Sequence, residues 1–233
     1  MRGRSWKFWL VTGALVLGVG VVGGPFVYIH FIESKAPAPL SFAKTSPSAS
    51  AASSTATSAQ GVDGAWTVTS GSTIGYRVQE VLFGQSNTAA GRTSSVTGSI
   101  TIEGKTVSAA TFTVDMTTVT SDQQRRDNQF NGRIMDTPSY PTATFKLSNP
   151  IVLTSIPSVG MQASTKATGV LTMHGTSKSV TFTITGQRTG DGIKVTGQIP
   201  VTFAAWNIPN PSFGPVTTQD HGVLEFLLVL KRA

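Results

Sequence analysis

From about residue 62 onward the chain is written in short runs where apolar and polar positions alternate, the period of two expected of half-buried strands. Ile74, Tyr76 and Val78 share one face. Val96, Ile100 and Ile102 share another, with Gly98 between them. Phe112, Val114 and Met116 alternate with Thr111, Thr113, Asp115 and Thr117, and Ala143, Phe145 and Leu147 with Thr144 and Lys146. Leu171 and Met173 precede a turn at His174-Gly175-Thr176-Ser177, and Val180, Phe182 and Ile184 follow it. Asp191-Gly192 makes a second tight turn, leading into Ile193, Val195, Ile199, Val201 and Phe203. The run Val223 to Leu230 is apolar on both faces except at Glu225, which predicts that both faces are covered. About eight or nine strands with glycine-rich turns predict an all-β sandwich or barrel. Long strands joined by hairpins favour an antiparallel up-and-down barrel, since closure removes exposed edges.

One stretch lacks the two-residue period. Ser121 to Phe130 carries Ser121 and Gln124 at the spacing of a capping box, and Phe130 and Ile134 lie four apart, so a short helix is predicted that turns both toward the barrel. It ends near Gly132 or before Pro138, where the proline-bracketed segment Ile134 to Phe145 leads into the next strand.

The N-terminal part follows another pattern. Residues 8–32 contain no Asp, Glu, Lys or Arg, a longer run than the ~20 residues a helix needs to cross a hydrocarbon core. Trp6, Trp9 and Tyr28 lie near its ends, and Arg2, Arg4 and Lys7 precede it. The positive-inside bias predicts a cytoplasmic basic tail at 1–7, a single transmembrane signal anchor at 8–32 and an extracytoplasmic remainder. The rival reading, a cleaved leader, would have a shorter apolar region and a small-x-small site; Ala36-Pro37-Ala38 is followed by Pro39, which suits cleavage poorly. Residues 33–61, rich in Ser, Ala, Pro and Thr, read as a flexible linker to a barrel domain at 62–233.

Composition then narrows the chemistry. Cysteine is absent, which excludes disulfides, thiolate metal sites and cysteine nucleophiles. The formal charge of +7 is concentrated at the N-terminus: beyond residue 61 there are 13 basic and 10 acidic residues, and no basic run interleaved with aromatics of the kind nucleic acid would require. His30, His174 and His221 have no metal-ligand spacing, and Gly84-Gln85-Ser86-Asn87-Thr88 lacks the second glycine of a nucleophile elbow. No metal site, cofactor or catalytic residue is expected. The acidic residues Asp115, Asp122, Asp127 and Asp136 read as caps and solvated groups. Arg126-Asp127 is either a structural pair or a contact to a ligand head group. The aromatic side chains on the inward strand faces either fill the barrel or line a channel; periodicity does not choose between them.

Four blocks resemble the YceI-like family. Trp66-Thr67-Val68 is similar to its opening strand, and Thr120 with Arg126-Asp127 to its T…RD segment. Asp136-Thr137-Pro138-Ser139-Tyr140-Pro141-Thr142-Ala143-Thr144-Phe145 is similar to its D…YP…F segment. Gly169-Val170-Leu171-Thr172-Met173-His174-Gly175-Thr176-Ser177-Lys178 is similar to its G-x-L-T-x-x-G-x-T-K hairpin. The resemblance implies a lipocalin-like barrel of about eight strands that holds an isoprenoid chain, a quinone tail or polyprenyl phosphate, without catalysis. It makes Tyr76, Val78, Phe112, Val114, Phe145, Phe182, Ile184, Phe203 and Trp206 the expected lipid contacts, with Arg126 and Asp127 as head-group or structural pair. The expected partners are the isoprenoid lipid and, through residues 8–32, the cytoplasmic membrane; pairing of barrels as a homodimer stays open. Where many relatives carry histidines in the first hairpin region, this chain has Ser70-Gly71-Ser72-Thr73 and Gln79-Glu80, so no histidine head-group role is carried over. The alternatives are an interaction module with a side-chain-filled barrel and, further off, a hydrolase using the Asp/Arg cluster.

Overall fold

A computed structural model describes residues 36–42, 61–82 and 84–233. The basic tail and the apolar run 8–32 lie outside the described residues, and no helix among the described residues is long and apolar enough to cross a membrane.

Among the described residues thirteen strands form one antiparallel sheet that closes on itself. In chain order they are β1 (Gly64–Val68), β2 (Thr73–Leu82), β3 (Gln85–Thr93), β4 (Val96–Glu103), β5 (Thr106–Asp115), β6 (Thr120–Ser121), β7 (Thr142–Leu147), β8 (Ile151–Val152), β9 (Gln162–Met173), β10 (Thr176–Arg188), β11 (Ile193–Thr202), β12 (Val216–Thr218) and β13 (His221–Arg232). Several are halves of longer, bent staves. β1 and β2 both pair with β13, β1 at Val68↔Leu230 and β2 at Phe226↔Ile74, so together they make one stave. β3 pairs with β2 while β4, which continues from it, pairs with β1. β5 and β6 likewise continue each other beside β4 and β3. The result is an eight-stave up-and-down barrel, closed where β13 meets β1 and β2.

The side-chain alternation decides what goes inside. Tyr76 lies opposite Gly91, Phe112 opposite Phe145, and Phe182 opposite Ala167, and paired residues project to the same face of a sheet. The outer face between β9 and β10 carries hydroxyl pairs instead: Ser164–Thr185 and Thr168–Thr181 at 2.8 Å, and Thr172–Ser177 at 2.7 Å. The threonine-rich composition is thus the polar outer surface of the barrel. The β9–β10 hairpin turns on two residues, His174 and Gly175, both with positive φ as a type I′ turn demands; Thr176 already belongs to β10.

The helix expected after Ser121 is present at Gln124–Gln129 and continues as a π-helical turn over Phe130–Ile134. The capping box is not. Gln123 is the N-cap and its side chain caps nothing. Asp127, one turn into the helix, accepts instead from both the backbone N–H (2.8 Å) and the hydroxyl (2.6 Å) of Ser121. A carboxylate there satisfies two donors at once, and it stands six residues beyond Ser121 rather than the three of a capping box.

Part of the linker expected over 33–61 is not free. Ala36 to Phe42 lies against the outer wall of the barrel, held by hydrogen bonds from Arg77 and to Glu225. Extended proline-containing backbone has little ordering entropy left to lose, so a few such bonds are enough to hold it.

Candidate functional site

The inward faces leave a continuous cavity of about 970 Å³ inside the barrel, near the top of the ~300–1,000 Å³ range of small-molecule sites. Its wall is almost wholly apolar. Tyr76, Val78, Phe112, Val114, Phe145, Phe182, Ile184 and Phe203 all line it, as expected. Trp206 does not. It ends the 3-10 turn Phe203–Trp206, is buried, and has its backbone carbonyl 3.1 Å from His174 Nδ1. The strand ends at Thr202, and the turn that follows it carries Trp206 out of the inward row.

Open space survives in a barrel so rich in rings because the rings lie against glycines. Gly197 faces Phe226 in register, and a Cβ on it would sit 2.6 Å from Phe226 Cζ. At Gly169 the same atom would meet Phe145 Cε2 at 2.6 Å, and at Gly91 it would meet Tyr76 Cζ at 2.9 Å. Each ring occupies the volume a side chain would have taken on the neighbouring strand, an arrangement known from glycine–aromatic pairs in sheets. The rings also support one another edge-on: Phe145–Phe182 at 5.5 Å and Phe182–Phe226 at 6.0 Å between centroids. Such pairs contribute about 0.5–1.5 kcal/mol each beyond burial.

The floor is sealed. Trp66, Ile102 and Leu230 pack together below the cavity, with Leu230 wholly buried. The Trp66 indole N–H donates to the Val62 carbonyl at 2.8 Å, and the Arg232 guanidinium lies over its ring at 4.8 Å. Arg232 also donates to the carbonyls of Asp63 and Gly61, each at 2.5 Å, which ties the last strand to the entry of the first.

The opposite end is the mouth. Phe130 stacks on Tyr76 with the rings 7° from parallel and 5.1 Å apart, and it lines the cavity with Ile134, as the four-residue spacing predicts. Across from the helix, the loop after Trp206 brings Pro211, Phe213 and Pro215 to the rim. Arg133 clips the two sides together, donating to the carbonyls of Asn210 (3.1 Å) and Pro211 (2.9 Å) and sitting 5.8 Å over the Phe213 ring. Phe213 is nevertheless 52% exposed, a large apolar group held at the entrance.

Polar groups gather at this rim. Arg126 lines it and pairs with Asp122 and, at 3.5 Å, with Glu80. Exposed Arg125 and half-buried Gln123 and Gln129 stand beside it. Asp127 is buried under the helix and spent on Ser121, so of the expected pair only Arg126 reaches the mouth. Burial pushes the Tyr76 hydroxyl pKa well above the ordinary phenol value, against a smaller lowering by the Arg126 charge. The hydroxyl therefore stays neutral and adds no charge to the wall. Asp127→Asn is expected to cost about 1–2 kcal/mol of stability, read as a lower denaturation midpoint, because a charged acceptor serving two donors is replaced by a neutral one. Ligand affinity of the folded variant should stay within twofold; a larger loss would mean that Asp127 serves the ligand directly.

Sequence reasoning did not single out Phe226 or Leu228, which line the cavity too. In β13 the apolar residues occupy both faces, so alternation there does not mark Phe226 and Leu228 as inward.

A closed antiparallel barrel with a greasy interior, a packed floor and a polar rim defines a binding protein for an apolar molecule. The YceI-like domain matches residues 66–230, and the chain belongs to that family, which is one of binding domains rather than enzymes. Two solved structures share the fold. A polyisoprenoid binding domain from Saccharophagus degradans, implicated in plant cell wall breakdown, is 15% identical with a TM-score of 0.59, over 72% of this chain and 98% of its own. BcnA of Burkholderia cenocepacia is 20% identical with a TM-score of 0.52, over 68% and 95%. No curated protein matches the chain significantly.

Proposed function

We propose that this protein is a membrane-anchored, extracytoplasmic, non-enzymatic carrier that shields an isoprenoid lipid inside its barrel. The observation that carries the reading is the continuous apolar cavity with a rim that bears arginines. An isoprenoid tail gains about 0.8 kcal/mol for each CH₂ taken out of water, and the smooth ring-and-glycine wall offers no polar group deep inside that would need a partner. A quinone ring or a phosphate would remain at the mouth, near Arg125 and Arg126. The Saccharophagus degradans relative, described as polyisoprenoid binding, supports the same cargo. The charge-free run at 8–32, with basic residues before it, supports a cytoplasmic N-terminus and an external barrel. A barrel filled by its own side chains does not agree with the cavity.

The full chain purified from membranes in mild detergent, analysed by native mass spectrometry, is expected to carry one adduct whose fragments are those of an isoprenoid. A bare protein that takes up no polyprenyl phosphate or quinone, or an adduct that is only phospholipid, would overturn the proposal.

A further inference from the structure

The outer wall holds a second built site. Glu225 has none of its surface exposed, yet alternation puts it on the outward face of β13, in register with Gly75 and Gln198. A carboxylate there would ordinarily be in water. It is covered by residues 36–42. The Leu40 N–H donates to Glu225 Oε2 at 3.2 Å, and the Leu40 carbonyl accepts from Thr196 Oγ1 at 3.2 Å, so both backbone groups of Leu40 are bound. Arg77 donates to the Pro37 carbonyl at 2.5 Å, and Arg92 donates to the Ala38 carbonyl. The same two guanidinium groups donate to Glu225 Oε1, at 3.4 and 2.9 Å. Two cations thus share one carboxylate, and the Nη2 of each that donates to it also donates to a carbonyl oxygen of the segment. Gly75 leaves room for this: a Cβ on it would sit 2.9 Å from Arg92 Cγ. Ala90, which faces outward opposite Arg77, is buried as well.

We infer that Arg77, Arg92, Thr196 and Glu225 form a peptide-binding site on the barrel's outside that takes the chain's own Ala36–Phe42 in cis and latches the barrel to the stretch that follows the apolar run. Pro37 and Pro39 have no N–H to leave unpaired, and they favour the extended form the site requires. The consequence for the membrane rests on the anchor proposed above. With the latch closed, only residues 33–35 separate the apolar run from the barrel wall, a reach of at most about 11 Å. A free coil of residues 33–61 would let the barrel wander over roughly 30 Å. The latch therefore fixes both the standoff and the direction in which the mouth points.

The absence of cysteine makes the test clean. Spin labels at Ser41→Cys and Ser164→Cys in the full chain would report the distance across the wall; Ser164 is exposed, and its β10 partner Thr185 is in turn in register with Thr196 on β11. A single narrow distance that persists on dilution with unlabelled protein is expected. Leu40→Pro, which removes the N–H given to Glu225, and Glu225→Gln should each replace it with a broad, longer distribution. A broad distribution in the parent chain, a short distance lost on dilution, or a short distance unchanged in both variants would overturn the latch. Leu40 lies outside the barrel, so its variant reports even if Glu225→Gln fails to fold. Flotation of the same samples with lipid vesicles separates the two readings: a narrow distance without flotation supports the latch and removes the anchor, whereas a broad one with flotation removes the latch alone.

Discussion

Ala143→Phe combined with Ala167→Phe is expected to abolish lipid loading while the barrel remains folded. Both alanines are buried and line the cavity, Ala143 on β7 and Ala167 on β9. Two benzyl groups projected into the cavity of about 970 Å³ would occupy the path of a tail. Filling a void with apolar atoms commonly adds about 0.5–2 kcal/mol of stability, so the thermal midpoint should hold or rise. Uptake of a fluorescent polyprenyl phosphate analogue, followed by titration, should fall at least tenfold. Undiminished uptake with an unchanged midpoint would mean that the lipid seats somewhere other than the lumen. A fall in the midpoint would show that the lumen is tighter than its shape indicates.

Gly98→Ala is expected to have the largest effect on stability. Gly98 sits on β4 opposite Phe112 with φ +148°, a conformation side-chain-bearing residues rarely adopt. An added Cβ would lie 2.6 Å from Phe112 Cδ1 and 2.8 Å from Phe112 Cα, and closer still to the Thr111 carbonyl. Since two of those three are backbone atoms, rotating a side chain gives no relief, and β4 and β5 must separate locally. A cost of about 3 kcal/mol or more follows, which for a domain of this size lowers the midpoint by roughly 6–12 °C. Gly91→Ala is the informative contrast. There the nearest atoms belong only to the Tyr76 ring, which can swing into the lumen and carry Phe130 with it. The smaller stability loss and larger loss of lipid uptake expected there would separate wall geometry from cavity shape. Equal midpoints for Gly98→Ala and the parent chain would refute the argument from backbone crowding.

The parts of this molecule that were legible in its sequence are those where one face is apolar and the other polar. Ile74–Val78, Val96–Ile102, Phe112–Met116, Ala143–Leu147 and Val180–Ile184 declare their inward sides, and seven of the nine expected lipid contacts lie in these runs and line the cavity for that reason. β3 was not legible. Its inward residues are Ala89, Gly91 and Thr93, too small to stand out from Gln85, Ser86 and Asn87 around them. The same smallness is what leaves space for Tyr76, so the feature that hides the strand also keeps the cavity open. Periodicity could name the inner face but not its occupancy, because hollowness depends on which ring meets which glycine across the sheet, a matter of register. Glu225 is a different case. The apolar run around it predicts a covered outer face, but only a segment far away in sequence, Ala36–Phe42, reveals what covers it.

The Trp66–Arg232 floor makes the barrel a vessel closed at one end. A lipid that entered tail first, as proposed, would back out by the same route, with its polar end always nearest the outside. It would not be threaded through from one side to the other, so donor and acceptor would each be met by the same rim in turn, and delivery would be a matter of turning the vessel rather than of passing cargo along it.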